Sequence, residues 1–337
     1  MFPLPPPAVP KLCRFSEMPV AETADAFVVV GEAVTALTQK GDPYVKLTVR
    51  DKARAATTFV WKDRPAFEPA GKVRPGDVIK IRGRFVPDER WGSKLELDNL
   101  RPADPARDAK DYSPTDLFET TRFDVGNMWL ELLAIIEEHV RDPGVRLVTA
   151  EVLRRNEPAF RSAPAAAQNH HAYIGGLLEH TLSVARLCVH LADKYIEYYR
   201  PAGVAVDKDL IIAGGILHDV GKVAELDIRP GVGEYTTVGK LVGHILIGRD
   251  MLREAAAAVP QLDARRLMLL EHIIISHQGR KEWSSPIEPK TLEALIVHYA
   301  DDIDAKVNTF VEAIGGDAGG GEFTGRRNLF GRELYRG

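Results

Sequence analysis

The hydrophobic pattern of this 337-residue chain changes period once, and no fold of a single class can accommodate that change. From Phe27 to about Leu100 apolar and polar residues alternate. Between Tyr44 and Arg50, Val45, Leu47 and Val49 fall on one face, with Tyr44, Lys46, Thr48 and Arg50 on the other. Beyond a charged stretch punctuated by Pro102, Pro105 and Pro114, the apolar spacing becomes three and four. Side chains alternate along a strand and wind around a helix, so the first part must form a sheet and the second a helical layer.

Strands are predicted from Phe27, over Tyr44–Arg50, Thr57–Lys62 and Val78–Val86, and over Lys94–Leu97. Turns fall at Gly41-Asp42-Pro43, Pro75-Gly76-Asp77 and Trp91-Gly92-Ser93. Five short strands so close together fit a small closed or partly closed barrel. Helices are predicted over Val125–Val140, Val145–Arg155, Gly176–Tyr199, Leu210–His218, Val238–Ala257, Ala264–His277 and Thr291–Phe310. The expected class is an α+β multidomain protein, a five-stranded barrel followed by an all-α domain. Its expected parts are a proline-rich arm (1–20), the barrel (21–105), a linker and helical lead-in (106–160), the helical domain (161–312), and a Gly-rich spacer with a basic tail (313–337) carrying Arg326, Arg327, Arg332 and Arg336.

The two cysteines, Cys13 and Cys188, cannot build a disulfide framework or a thiolate cluster, so a reducing cytoplasm is expected. The N-terminus lacks the basic-then-apolar pattern of a leader, and no apolar run is long enough for a bilayer. The net charge of −4 divides into +4 over residues 1–110 and −8 over the rest, a hint that the barrel meets a polyanion.

The chemistry concentrates in the helical part. His180 shares a face with Leu177, Val184, Leu187 and Leu191, and therefore points into the core. His218-Asp219 closes the apolar run containing Ile211, Ile212, Ile216 and Leu217, and Asp301 shares a face with Ala294, Val297 and Ala305. A buried carboxylate needs a partner or a cation. Four inward nitrogen and oxygen donors on three helices suit a divalent metal, and the lack of thiolates argues against a structural zinc knot. His244 and His277 are candidates for a second ion that shares Asp219, with His272 a weaker one, and Lys222 is placed for a phosphate oxygen. His139, His190 and His298 read as structural.

These motifs resemble the HD-domain superfamily of metal-dependent phosphohydrolases, an all-α fold, and within it the YhaM-type 3′→5′ exoribonucleases. The matching stretches run from His170 to Thr181, from His218 to Lys222 and from His298 to Lys306. The resemblance implies a metal-dependent phosphodiesterase that shortens single-stranded RNA from the 3′ end, with single-stranded DNA as an alternative substrate. It implies Asp219 and Lys222 as catalytic residues, and His180, His218, Asp219, Asp301, His244 and His277 as ligands of one or two ions. Manganese is the implied cation, while the donors alone also suit iron or zinc. That family carries adjacent histidines where this chain has His277-Gln278, which bears on the second ion. YhaM-type enzymes join an oligonucleotide-binding (OB) barrel to the HD domain. Tyr44, Lys46, Arg50, Lys80, Arg82, Arg84 and Trp91 are the expected nucleic-acid face, cations for phosphates and aromatic rings for bases. Phe59 and Trp61 alternate together and are compatible with either the core or that face. A phosphohydrolase of free or cyclic nucleotides with a regulatory barrel, and a non-catalytic nucleic-acid adaptor, stay open as alternatives. So does a homo-oligomer. No membrane partner is expected.

Overall fold

The structure, a computed structural model, describes residues 10–88, 92–166, 171–227, 234–317 and 319–337. Trp91, His170 and the first nine residues of the proline-rich arm lie outside the described residues. The chain forms two compact units that meet in sequence at Glu119 and Thr120.

The first unit is a coiled antiparallel sheet. Its strands are β1 (Lys11–Leu12), β2 (Ala24–Leu37), β3 (Pro43–Arg50), β4 (Ala55–Trp61), β5 (Val78–Asp88) and β6 (Gly92–Pro102). They run in the order β4-β3-β2-β5-β6, with β1 added parallel to β2. β2 is long enough to serve two neighbours. Ala24–Val29 pairs with β5, and Val29–Leu37 pairs with β3 across a bulge between Val30 and Glu32. Bulges sharpen strand bending, and this one curls the sheet around Val28, Val30, Val45, Leu47, Ile79, Ile81 and Phe85. The result is the expected OB-like barrel, left open at one seam. Among the described residues no backbone ladder joins β4 to β6; the Thr58 hydroxyl instead donates to the Leu95 carbonyl at 2.7 Å. β6 runs on to Pro102, beyond the predicted end at Leu97, because a second bulge at Arg82/Gly83 keeps it in register with β5. Only glycine fits at that bulge: a Cβ on Gly83 would lie 2.3 Å from the Glu96 carbonyl oxygen.

Three short helices complete this unit: α1 (Phe67–Ala70), α2 (Pro105–Asp108) and α3 (Pro114–Leu117). The stretch around the prolines is folded rather than extended. Asp104 and Ser113 cap α2 and α3, Asp108 pairs with Arg101 at 2.7 Å, and Tyr112 stacks on Phe27 at 4.5 Å.

The second unit is helical: α4 (Val125–His139), α5 (Pro143–Ser162), α6 (Gly176–Tyr199), α7 (Lys208–Leu217), α8 (Lys222–Glu225), α9 (Thr237–Val242), α10 (His244–Ala256), α11 (Ala264–Ser276) and α12 (Leu292–Gly315). Side-chain caps from Asp124, Asp142, Asp207, Thr236, Asp263 and Thr291 start six of them. α7 is buried on every side from Leu210 to Leu217 and forms the central post. Its glycines let neighbours close in. A Cβ on Gly214 would lie 2.6 Å from Ile273 of α11, and one on Gly215 would lie 2.6 Å from Cys188 of α6. The segment predicted as one helix, Val238–Ala257, breaks at Gly243, whose φ of 79° and ψ of 152° no helix permits. No helix among the described residues is long and apolar enough to cross a membrane. The C-terminal segment folds back on itself. Asp317 accepts from the Gly319 and Gly325 amides and pairs with Arg336, while Phe323 bridges Tyr335.

Candidate metal centre and nucleic-acid interface

Four histidines of the helical unit share one arrangement. His218, fully buried at the end of α7, directs Nδ1 at the Gly215 carbonyl at 2.8 Å. His277, just past α11, directs Nδ1 at the Ile274 carbonyl at 2.7 Å. On α6, Nδ1 of His180 faces Asp304 Oδ2 at 2.7 Å. His244 opens α10, with Nδ1 2.9 Å from Glu225 Oε1, and its backbone N–H donates to the same oxygen. The break at Gly243 produces this last geometry. Each of these oxygens accepts, so each ring donates from Nδ1 and turns Nε2 toward the carboxylates. A polar partner behind the ring that frees the other nitrogen is the usual environment of a metal-binding imidazole.

All four Nε2 atoms surround the Asp219 carboxylate. Oδ2 lies 3.5 Å from His180 and 3.3 Å from His218, and Oδ1 lies 3.4 Å from His244 and 3.6 Å from His277. Asp301 Oδ1 stands 3.2 Å from Nε2 of His180 and 3.7 Å from that of His218. Nε2 of His180 and of His218 are 3.2 Å apart, a distance at which two lone pairs repel unless a positive charge sits between them. Asp219 Oδ1 and His244 Nε2 are buried and make no hydrogen bond to any described residue. Such orphaned buried atoms are costly, and a cation satisfies both. Imidazole nitrogens and carboxylates without thiolate fit a divalent metal.

The electrostatics agree. Burial opposes ionisation of Asp219, yet Lys222, His218 and His180 hold it well below the ordinary carboxylate range. Asp301 is likewise lowered against burial, by His180 and His218. Burial also opposes charging of His180, but Asp219, Asp301 and Asp304 raise it well above its usual value. His277 is lowered, chiefly by burial. Lys222, at the start of α8, reaches Asp219 Oδ2 at 2.6 Å; burial works against its charge and Asp219 more than restores it.

A cavity of about 570 Å³ opens beside this cluster, with Lys222, His244, His277 and Asp301 in its wall. Gln278, also in the wall, places its amide nitrogen 3.1 Å from His277 Nε2 and so competes for that lone pair. His272 is engaged elsewhere, its Nε2 accepting the Lys290 amide at 2.9 Å. His298 donates from Nδ1 to the His277 carbonyl at 2.7 Å, the structural part read for it.

Asp304, Glu225, His171 and Ser183 were not singled out as site residues. Asp304 holds His180 and is itself held by the Ser183 hydroxyl and, at 3.4 Å, by His171 Nε2. Its signal in the sequence was one helical turn: it follows Asp301 by three residues. Glu225 carries no such periodic mark.

On the sheet, Tyr44, Lys46 and Arg50 of β3 and Lys80, Arg82 and Arg84 of β5 all alternate with buried residues, as the pattern required. Most of the cations have acidic neighbours. Lys46 pairs with Glu32 at 2.7 Å, Arg84 with Glu96 at 3.3 Å, and Arg82 and Lys80 with Asp25 at 2.7 and 3.3 Å. Phe59 and Trp61 belong to the outer face, being 44% and 41% exposed. Both rings lie against Tyr44, with centroids 5.8 and 5.3 Å away, an aromatic strip that the alternation alone left ambiguous.

Known proteins offer both a family and individual relatives for comparison. Residues 177–306 match the HD domain family. The chain is 32% identical to the 3′-5′ exoribonuclease YhaM of Bacillus subtilis (strain 168) over 88% of each chain. It is 33% identical to the protein of that name from Bacillus velezensis over 86% of each chain, and 32% identical to that from Bacillus licheniformis over 88% of each. A domain of replication protein A from Methanococcus maripaludis aligns with 28% of this chain and 96% of its own, at 14% identity and a TM-score of 0.23.

Proposed function

Because the chain belongs to the family of YhaM 3′-5′ exoribonucleases, we propose that it hydrolyses single-stranded RNA from the 3′ end at a two-cation centre. The observation that carries this reading is the position of Asp219, each of whose oxygens faces a pair of Nε2 atoms. His180, His218, Asp219 and Asp301 hold one cation. Asp219, His244 and His277 hold the other, less tightly where Gln278 competes for His277. Manganese is the cation proposed, with iron and zinc compatible with the same donors. When bound, such ions would lower the pKa of a water toward neutrality and neutralise charge on a phosphoryl group.

The protein's own groups do the rest. Lys222 keeps Asp219 ionised and, from the cavity wall, neutralises a non-bridging phosphate oxygen. Asp304 and Glu225 fix the tautomers of His180 and His244. The barrel (21–105) holds the strand through Tyr44, Lys46, Arg50, Lys80, Arg82 and Arg84, joined by Phe59 and Trp61, and the helical domain (161–312) cleaves it in the cytoplasm. Single-stranded DNA is a secondary substrate.

The test is a panel of divalent metals with 3′-labelled and 5′-labelled single strands. The reading requires metal-dependent release of mononucleotide from the 3′ label first. Turnover of free nucleotides with intact oligonucleotides would refute it.

A further inference from the structure

The loop joining α11 to α12 projects one large aromatic ring into the wall of the metal cavity. Trp283 ends a short 3₁₀ turn, Lys281–Trp283, and lines the same cavity as Lys222, His244, His277 and Asp301. The loop is firmly held. Gly279, at φ +81°, packs so closely on the His298 ring that a Cβ there would lie 2.2 Å from it. Ser284 takes φ +70°, a strained conformation for a residue with a side chain. The Ser285 hydroxyl donates to the Ile287 carbonyl at 2.8 Å, closing the loop behind the tryptophan.

The ring rests against His298, with centroids 6.3 Å apart, and packing covers only part of it. Trp283 remains 44% exposed although it borders a cavity. Two cations flank it, the Arg280 guanidinium 5.1 Å and the Lys306 ammonium 5.7 Å from the ring centre, and Lys306 also pairs with Asp302 at 2.7 Å. A half-exposed indole between two cations, beside a metal-ligand cluster, matches what a nucleotide offers: a flat base and a phosphate chain.

We propose that Trp283 is the stacking surface for a nucleobase at the 3′ end of the substrate, with Arg280 and Lys306 beside the adjoining phosphates. This rests on the function proposed above and adds its terminal base subsite. Stacking is tolerant of base identity, so the subsite favours any base over none.

The test compares two single-stranded oligoribonucleotides with non-cleavable phosphorothioate linkages, one ending in adenosine and one in an abasic nucleotide. Binding is measured on the wild type, Trp283→Phe and Trp283→Ala. The wild type should prefer the base-bearing end by roughly tenfold or more. Trp283→Phe should keep most of that preference, and Trp283→Ala should lose it with unchanged metal content and melting temperature. Equal preference in wild type and Trp283→Ala overturns the subsite. If Trp283→Ala does not fold, Trp283→Leu takes its place, and an undiminished preference for the base-bearing end in Trp283→Leu overturns the subsite. Failure of the wild type to shorten an ordinary single-stranded RNA of the same sequence in the presence of manganese sinks the parent function instead.

Discussion

Nδ1 of His180 lies 2.7 Å from Asp304 Oδ2, so a residue outside the cation-facing cluster decides which nitrogen of His180 can bind a cation. Removing Asp304 frees the ring to rotate or change tautomer. Asp304→Ala should therefore weaken binding of one cation by about 10–100-fold while the helical unit stays folded. Calorimetric titration with manganese measures this directly. Unchanged affinity would mean that packing alone orients His180.

The turn at Gly243 does comparable work for His244. Its φ of 79° and ψ of 152° belong to glycine, and they direct both the His244 amide and Nδ1 to Glu225. Gly243→Ala should cost about 1–3 kcal/mol of stability. It should also lower affinity for the second cation more than for the first. Thermal melting together with a two-step metal titration separates the effects.

Lys222 sits 2.6 Å from Asp219 Oδ2 in the cavity wall. If it neutralises charge during cleavage, Lys222→Met should lower kcat by about 10²–10³-fold with little change in KM. Steady-state kinetics on a labelled single strand decide the matter. Normal kcat with reduced metal affinity would restrict Lys222 to holding Asp219.

Asp25 gives the first unit a defined acid response. Burial opposes its ionisation, but Arg82 and Lys80 outweigh that and hold it below the ordinary carboxylate value. A carboxylate depressed in the folded state contributes stability that is fully present above its unfolded pKa, about 3.9. That contribution disappears as pH falls through the lower folded value. Acidification below about pH 4 should thus destabilise the wild-type sheet more steeply than that of Asp25→Asn, as circular dichroism of the melting transition would show. Parallel acid profiles would rule the pair out as its source.

Much of this architecture could be read from spacing because period and burial are coupled. The alternation of Val45, Leu47 and Val49 set the inner face of β3, and the apolar run before His218 placed the doublet at the end of a buried post. His180 and Asp301 converge on it because each shares a helix face with core residues. What stayed hidden depends on tertiary pairing or on one backbone angle. Nothing periodic marks Glu225 as the partner of His244, and the break at Gly243 sits within an otherwise continuous helical pattern. Phe59 and Trp61 are large apolar residues on an alternating strand, so only the location of the core shows that they face outward.

Asp219, each of whose oxygens faces a pair of Nε2 atoms, would serve both cations of the proposed centre. Metal content per chain, measured after manganese loading and removal of excess ion, tests it most directly when wild type and Asp219→Asn are compared. The account predicts two ions in the wild type, loss of stable binding at both positions in the variant, and no 3′ shortening by the variant. An Asp219→Asn protein that retains both ions and wild-type activity would contradict it.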